Sequence, residues 1–480
     1  MSIFEQANGF TQTEQYLANI ARQSFLSLWS YPNIFRDEGG VKNGGTGQEV
    51  TDLLIVFGKH IIIFSDKDCQ FIIYEDTILS WTRWYRKAIL ASAKQLWGAE
   101  KWIREHPDRL FCDPHCQVPF PISLPAKDEI IFHRVLVVHQ INEPCKQVMG
   151  GSGSLLIDTT ISDKDHYNVQ NSSVCIQPFK VGKIDSSRGF VHIFDDRSLD
   201  IVLKNLDTVT DFIDYLSRKE KLISKPGFVL NAFGEEDLLA HYLNTILGEN
   251  GKEHHDFLDD EQVNHLSVQK GYWEWFSIHG SYLRQQERDK LSYFWDRMLE
   301  HTMKDYRTGE LHFSSDSSFT VFESQMRILA KESRFSRRIL CDFLIGAAAQ
   351  FDIKQGDYRI RYSLSDTYPE ICYIFFLLNP TVTTNYEDYR NQRKEFLEFV
   401  ARIAKLRFSQ SAKSQDVKLI VGIASEAGNE KPLHSFDFLT YPADTWEENE
   451  KAVAEQLDQQ LPFFKDVTTY RGWEDEYPMD

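Results

Sequence analysis

Apolar positions near the N-terminus recur at the spacing of an amphipathic α-helix. Thr11 followed by Glu14 is a capping-box pattern, which marks where such a helix begins. Proline disfavours helix in the residue before it, so we expect this helix to end near Tyr31-Pro32. The positions that recur at i, i+3 and i+4 are Leu17, Ile20, Ala21, Phe25 and Leu28.

A β-hairpin is predicted in EVTDLLIVFGKHIIIFSDKDC (49–69), where two apolar runs meet at Gly58-Lys59-His60. A short strand at Phe71–Tyr74 and a long helix over about 81–104, capped by Ser80, are expected to follow. The order helix, loop, hairpin, strand, helix predicts a compact α/β module over the first 110 residues.

The pattern divides the remaining chain into three further regions, so the predicted fold class is multidomain α/β. Near the C-terminus, two buried-strand runs, 371–379 and 417–425, flank an amphipathic helix at 386–408. That arrangement predicts a βαβ unit with parallel strands. The predicted domains are 1–110, the compact α/β module; 111–230, a middle α/β region with strands near 129–141, 153–158 and 190–195 and a helix near 199–219; 231–355, helical; and 356–480, α/β.

The charge distribution separates the N-terminal region from the rest. A chain of 480 residues is too long for one ordinary core, and its net charge of −18 argues against a protein that coats nucleic acid everywhere. Residues 1–110, however, carry 12 Lys and Arg against 13 Asp and Glu. Within 81–109 there are seven basic and three acidic residues, so we expect this helix to contact nucleic acid.

The seven cysteines are widely scattered and odd in number, which favours reduced thiols. The N-terminus lacks a basic segment followed by an apolar one, and no window approaches the ~18–20 apolar residues of a membrane span. We therefore expect a cytoplasmic protein with no membrane partner.

The hairpin carries charged residues at its open end. Antiparallel pairing brings Asp52 opposite Ser65, Asp66 or Lys67, depending on the turn. Alternation places Ser65 and Lys67 on one face and Asp66 on the other, although a slip of one residue would exchange the faces. Asp52 and Lys67 are therefore expected to converge at one end of the sheet.

This arrangement resembles the PD-(D/E)XK nuclease superfamily over about the first 105 residues. Asp52 takes the place of the family's strand aspartate, and Ser65-Asp66-Lys67 takes the place of its (D/E)-X-K motif. Glu14 matches the glutamate of the first helix, because it shares a face with the apolar positions. Gln95 or Lys94 matches the polar or basic residue of the following helix.

The resemblance implies a Mg²⁺ or Mn²⁺ ion held by carboxylates, which polarises a phosphodiester and activates water, beside a lysine that stabilises developing charge. Asp52 would be the principal ligand. The implied metal ligands are Asp52, Glu14, Asp66 and Glu49; the implied catalytic residues are Asp52, Lys67, Glu14, Asp66 and Gln95, with Lys94 as the alternative to Gln95.

Ser65 departs from the family pattern, because a hydroxyl is a poorer Mg²⁺ ligand than a carboxylate. The first hypothesis is a metal-dependent nuclease acting on DNA or RNA, of the kind found in restriction or anti-phage defence, whose C-terminal region docks a protein partner or a second copy. The rival is an inactive nuclease-fold binding or scaffold protein. A third interpretation treats the charges as ordinary solvated strand ends.

Two other clusters favour structural interpretations. Cys112-Asp113-Pro114-His115-Cys116 lacks a second ligand pair, so we expect a proline turn rather than a zinc site. Arg334, Arg337 and Arg338 form a basic triplet, for which pairing with acidic residues is favoured over contact with phosphate.

Overall fold

The computed structural model divides the chain into two compact units, Met1–Tyr282 and Leu283–Asp480. Both are mixed α/β, in agreement with the predicted class. The predicted boundaries at 110 and 230 lie inside the first unit, and the boundary at 355 lies inside the second. The described residues are 8–38, 45–168, 175–249, 252–258, 263–308, 318–349, 354, 356–380, 385–410, 416–427, 433–464 and 474–478.

The helices and strands of the first unit alternate along the chain. Its strands are β1 (Ser30–Arg36), β2 (Gln48–Phe57), β3 (His60–Lys67), β4 (Ile131–Val138), β5 (Leu156–Ser162), β6 (Lys180–Lys183), β7 (Val191–Asp195), β8 (Val229–Ala232), β9 (Ile246–Glu249), β10 (Lys252–His255) and β11 (His265–Val268). Its helices are α1 (Gln12–Phe25), α2 (Thr77–Trp84), a π-helical segment (Tyr85–Leu90), α3 (Ala91–Glu105), α4 (Asn142–Met149), a 3₁₀ turn (Asp163–His166), α5 (Asp196–Asn205), α6 (Val209–Ser224), α7 (Glu235–Asn244) and α8 (Tyr272–Phe276).

The second unit begins within a helix that starts at Gly280. Among the described residues, no helix of either unit is long and apolar enough to cross a membrane. The remaining elements are α9 (Gly280–Asp289), α10 (Tyr293–Thr308), α11 (Phe319–Ala330), α12 (Arg334–Ala348), β12 (Tyr358–Leu364), β13 (Ile371–Leu378), α13 (Tyr386–Ser409), β14 (Leu419–Glu426), β15 (Phe436–Pro442) and α14 (Glu450–Gln460).

The central sheet of the first unit has the order β1-β2-β3-β4-β7. The first three strands pair antiparallel, whereas β4 pairs parallel with β3, and β7 pairs parallel with β4. Since β4 and β7 come from the predicted middle region, residues 1–110 share one sheet with the segment that follows them. The predicted boundary at 110 therefore does not separate two cores.

The hairpin was predicted, and its register is now defined. Phe57 pairs with His60, so the turn has two residues, Gly58 and Lys59, with Gly58 at φ +58°. Ile61 to Phe64 are all fully buried. Phe64 on one face packs on Phe212 of α6, while α3 covers the other face, where Arg134 of β4 pairs with Glu100. Burial on both faces explains the uninterrupted apolar run.

The predicted end of the first helix was wrong. α1 ends at Phe25, and Leu26 adopts φ +64°. Residues 30–36 instead form β1, in which Pro32 pairs with Leu53. The proline is tolerated because β1 is an edge strand, where one side of the backbone needs no ladder partner. Pro32 therefore marks a sheet edge rather than a helix terminus.

The predicted strand at Phe71–Tyr74 was also wrong. This segment is irregular: Phe71 packs on Trp84 and Phe179, and the backbone N–H of Tyr74 donates to Ser80 Oγ. Ser80 is therefore not the helix cap. Asp76 caps a helix that begins at Thr77 and continues through the π-helical segment to Glu105.

The other predictions for the first unit were partly confirmed. The predicted strands appear as β4, β5 and β7, and the predicted helix near 199–219 is divided into α5 and α6. A second sheet has the order β11-β8-β5-β6, and β9 and β10 form an antiparallel pair. Residues 231–355 therefore contain more strand than the helical pattern suggested.

The second unit contains the predicted βαβ arrangement. β13 and β14 are parallel and joined by α13, as the two buried runs indicated. Two antiparallel edge strands, β12 and β15, complete the sheet and were not predicted. Both are largely half-buried, so their sequences lack a continuous apolar run.

The arginine triplet forms buried ion pairs, as expected. Arg334 and Arg337 both contact Asp296, and Arg338 contacts Asp289. All three arginines are less than a tenth exposed, which leaves little of their surface for a nucleic acid.

We predict that the buried network at Asp437 stabilises the second unit. Asp437 accepts hydrogen bonds from Arg390 at 2.5 Å and from Arg393 at 2.7 Å. Asp437→Asn leaves the buried Arg390 guanidinium without a counter-charge and Arg393 with Glu426 alone, so we expect it to lower the free energy of unfolding by about 3–5 kcal/mol. Denaturant unfolding of the full chain measures this loss. Glu287→Gln, which breaks an exposed pair with Lys290, should cost less than about 1 kcal/mol; equal effects would contradict the prediction.

Candidate functional site

The open end of the hairpin places its charged residues on two faces. Leu53 pairs with Phe64, and continuing this register sets Asp52 opposite Ser65. The backbone N–H of Asp66 donates to Asp52 Oδ2 at 2.5 Å. By strand alternation Asp52, Ser65 and Lys67 share the face toward α3, whereas the Asp66 side chain belongs to the opposite face.

Asn33 of β1 links two of the predicted acidic ligands. Its side-chain amide donates to Glu14 Oε2 at 3.1 Å and to Glu49 Oε1 at 2.7 Å. Glu14 Oε2 also accepts from the backbone N–H of Phe10 at 2.8 Å. Asn33 is fully buried and has φ +50°, a backbone conformation that asparagine adopts more readily than most residues. A helix, an edge strand and a central strand thus meet at one amide.

Burial and neighbouring negative charges raise the pKa values of Asp52 and Glu49 at this corner. Burial raises the pKa of Asp52 to about 7; the hydrogen bond from Asp66 opposes the rise, and the charges of Glu49, Glu14 and Asp66 add to it. Although Glu49 is exposed as a residue, burial around its carboxyl end raises its pKa, as does the charge of Glu14. No cation among the described residues compensates Asp52.

Asp66, in contrast, is compensated by a histidine. Its Oδ1 bonds to His139 Nε2, and His139 Nδ1 bonds to Asp196 Oδ1 at 2.5 Å. Burial lowers the pKa of His139, but the hydrogen bonds and charges of the two carboxylates outweigh burial and raise it to about 10. The Asp66 side chain is only 1% exposed. One of its oxygens is therefore committed to an imidazolium.

The remaining predicted residues lie near the sheet without touching the acids. The Lys67 side chain is half-buried and makes no hydrogen bond or ion pair with any described residue. Lys94 and Gln95 are exposed on α3, and neither forms a hydrogen bond or ion pair with the described acids of this corner. The structure thus brings Glu14, Glu49, Asp52 and Asp66 into one electrostatic cluster and leaves the other predicted residues at its margin.

The donor atoms of this corner fit a hard divalent cation in their chemistry. Asn33 Oδ1 and Asp66 Oδ2 are buried and have no hydrogen-bond partner among the described residues. Carboxylate and amide oxygens are the ligands that Mg²⁺ prefers. The described carboxylates here do not, however, form a group of three with ligand atoms within 4.8 Å of one another; His133, His192 and Glu220 do. Cation binding at the hairpin end would therefore draw the acids closer together.

Sequence reasoning missed Asn33, His139 and Asp196. Asn33 follows the predicted helix end at Tyr31-Pro32, and that wrong end concealed its place in an edge strand. His139 follows β4 by one residue, and Asp196 follows β7. Since the ends of parallel strands meet at one edge of a sheet, a parallel assignment for these runs would have placed both residues beside Asp66.

Comparisons with protein-family models, with curated proteins and with solved structures found no match to this chain.

We predict that neutralising Asp52 stabilises the protein in the absence of divalent cations. A carboxyl whose pKa is higher in the folded than in the unfolded state loses stabilising free energy as pH rises between the two values, here from about 4 to about 7. Asp52→Asn, which keeps an acceptor for the Asp66 N–H, should therefore raise stability at pH 8 by on the order of 1–3 kcal/mol and have little effect at pH 5. Thermal unfolding with chelator at both pH values measures this.

Mg²⁺ or Mn²⁺ should raise the melting temperature of the wild type at pH 8, whereas Asp52→Asn should respond less. Asp128→Asn, which neutralises an exposed carboxylate in the same unit, is the control. It should change neither the stability without divalent cations nor the rise in melting temperature that they cause. An Asp52→Asn protein that is destabilised equally at both pH values would contradict the assigned electrostatics.

Proposed function

We propose that the first unit is a metal-dependent, PD-(D/E)XK-like nuclease whose site lies at the open end of the β2–β3 hairpin. The observation that carries the proposal is the uncompensated acidic cluster around Asp52, whose pKa is raised to about 7. Perturbed carboxylates of this kind concentrate at functional sites. The order α1-β1-β2-β3-helix-β4 supports the proposal, because the resembled motifs occupy the corresponding elements.

In this proposal Asp52 is the principal ligand, supported by Glu49 and Glu14 through their shared partner Asn33. A bound Mg²⁺ or Mn²⁺ would polarise the scissile phosphate and lower the pKa of a water molecule. Asn33 bridges the two glutamates, because its side-chain amide donates to one oxygen of each. His139 fixes the position of Asp66, whose backbone N–H in turn orients Asp52.

Lys67 is assigned to stabilise the developing negative charge of the phosphate. It shares a face with Asp52, and no described carboxylate neutralises its ammonium group. A cation without an internal partner is available to a phosphate. Lys94 or Gln95 of α3 would contact the substrate farther from the reacting bond.

The exposed face of the long helix provides the proposed nucleic-acid contact. Lys94 and Lys101 are exposed on α3 seven residues apart, which is close to two α-helical turns, and Lys87 is exposed in the π-helical segment that precedes α3. Among the described residues, none of the three ammonium groups has an ion-pair partner. The three lysines therefore form a stripe of free positive charge on a protein with a net charge of −18.

The rival function is nucleic-acid or protein binding without catalysis. Ser65 and the pairing of Asp66 with His139 favour this rival, since each removes an acidic ligand that the family motif would supply. The docking role of the C-terminal region and a part in restriction or anti-phage defence remain predictions.

We predict cleavage of plasmid DNA or single-stranded RNA that requires Mg²⁺ or Mn²⁺. Asp52→Asn and Lys67→Ala should each lower the cleavage rate by at least about 100-fold, because each removes charge stabilisation at the reacting phosphate. Lys59→Ala removes an exposed lysine from the opposite end of the same hairpin and should retain activity. Initial rates with purified full-length protein measure all three variants.

Two outcomes would overturn the nuclease proposal. One is a wild type that cleaves neither substrate although calorimetry shows the metal bound; that result supports the non-catalytic rival. The other is cleavage that both site variants retain, which would place the activity elsewhere.

We also predict that nucleic-acid binding depends on the lysine stripe. Replacing Lys87, Lys94 and Lys101 by glutamine should weaken binding and reduce the dependence of log K on log salt by about 2–3 units for duplex DNA, since each phosphate contact contributes about 0.9. Replacing Lys290, Lys418 and Lys451, exposed lysines of the second unit, changes the net charge equally and serves as the control. Equal losses in both triple variants would contradict a localised interface.

A further inference from the structure

A second polar cluster lies at the other end of the same sheet, on the face covered by α6. Val135 of β4 pairs with His192 of β7, so alternation places His133 on the same face as His192. Glu220 of α6 lies over both imidazoles. The nuclease proposal assigns no role to these three residues.

The three side chains converge closely. Glu220 Oε1 lies 3.1 Å from His133 Nδ1 and 2.9 Å from His192 Nε2. One ligand atom from each residue lies within 4.8 Å of the others, and no other group of three or more His, Cys, Asp or Glu in the described chain meets that distance. Both histidines are completely buried, while 22% of the Glu220 side chain is exposed.

These distances match the spacing of ligands around a small metal ion. Zinc binds imidazole nitrogen and carboxylate oxygen at about 2.0–2.2 Å, which separates neighbouring tetrahedral ligand atoms by about 3.3 Å. Both distances to Glu220 are close to this separation, and the two histidine nitrogens lie within 4.8 Å of each other, so a modest adjustment of the three side chains would admit an ion between them. We propose that His133, His192 and Glu220 bind one divalent transition-metal ion of the zinc class.

His60, the first residue of β3, supplies a supporting contact. Its Nδ1 lies 3.0 Å from His133 Nε2, the ring nitrogen that faces away from Glu220. Metal-bound histidines commonly donate their other ring N–H to a fixed acceptor, which sets the tautomer and orients the ring. His60 Nδ1 is therefore placed to accept that N–H.

The donor atoms suit the same assignment, because the cluster supplies two imidazole nitrogens and one carboxylate oxygen. Both kinds of atom are ordinary zinc ligands.

The ligand set distinguishes this site from the acidic corner. Imidazole suits zinc, copper, nickel or cobalt, whereas a set made of carboxylate and amide oxygens suits magnesium. Two histidines and one glutamate leave a coordination position for water on the exposed side of Glu220, which is the ligand count of an open rather than a closed zinc site. The alternative is a metal-free network in which Glu220 accepts an N–H from each histidine.

Cobalt is a suitable probe, because Co²⁺ replaces zinc and its visible absorption reports nitrogen and oxygen coordination. Full-length protein stripped with chelator should bind one Co²⁺ per chain, and one equivalent of Zn²⁺ should displace it. His133→Ala and Glu220→Gln should each weaken Co²⁺ binding by at least tenfold. His60→Phe should weaken it by about 10- to 100-fold, as expected for loss of a supporting contact.

Two controls separate this proposal from misfolding and from the nuclease proposal. His279→Ala removes an exposed histidine outside the cluster and should leave Co²⁺ binding unchanged. Asp52→Asn should also leave it unchanged, whatever the outcome of the cleavage assay. Glu220→Gln keeps the shape of the side chain, and its metal-free circular dichroism establishes that it is folded. A stripped wild type that takes up no Co²⁺, or uptake that Glu220→Gln and His133→Ala leave intact, would overturn the proposal in favour of the metal-free network.

Discussion

The parallel pairing of β3 with β4 is the constraint on which the first unit depends. It runs from His60 opposite Ile131 to Lys67 opposite Val138, and bonds from Ile131 to Lys59 and from His139 to Lys67 extend it at both ends. Parallel strands need a crossover, which the long helix provides on one face while α1 and α6 cover the other. With both faces buried, β3 becomes a fixed central strand. Its C-terminal end holds the acidic corner, and its N-terminal end holds His60 beside His133.

Some carboxylates of this protein have a cationic partner, whereas Asp52 has none among the described residues. Asp437 is held by two arginines and Asp66 by His139, so each carboxylate has a cationic partner. Asp52 receives only a backbone N–H and lies among Glu14, Glu49 and Asp66. Burying an ionised carboxylate without a cationic partner costs folding free energy, and such carboxylates concentrate at sites where a ligand supplies the missing positive charge. This contrast with Asp437 and Asp66 is the physical reason for treating Asp52 as a functional residue.

Sequence patterns predicted those parts of the structure that rest on local burial. The hairpin, α13 with its two parallel strands, and the core of the long helix follow from runs buried on both faces or from clear helical periodicity. The edge strands β1, β12 and β15 were missed because half-buried strands lack such runs, and Pro32 in β1 imitates a helix stop. At the site, Asp52 and its opposite position Ser65 followed from hairpin register. The positions of Asn33, His139 and Asp196 could not be predicted in this way, because they depend on pairings between strands far apart in sequence.

The two proposed metal sites are separated by the length of one strand. Seven residues from His60 to Lys67 span about 23 Å, so the ligands of one site do not contact an ion in the other. An ion at His133, His192 and Glu220 would link β4 and β7 to α6, the helix whose Phe212 packs on Phe64 of β3. Occupancy of the histidine site would thus act on the acidic corner by holding the central strand in place.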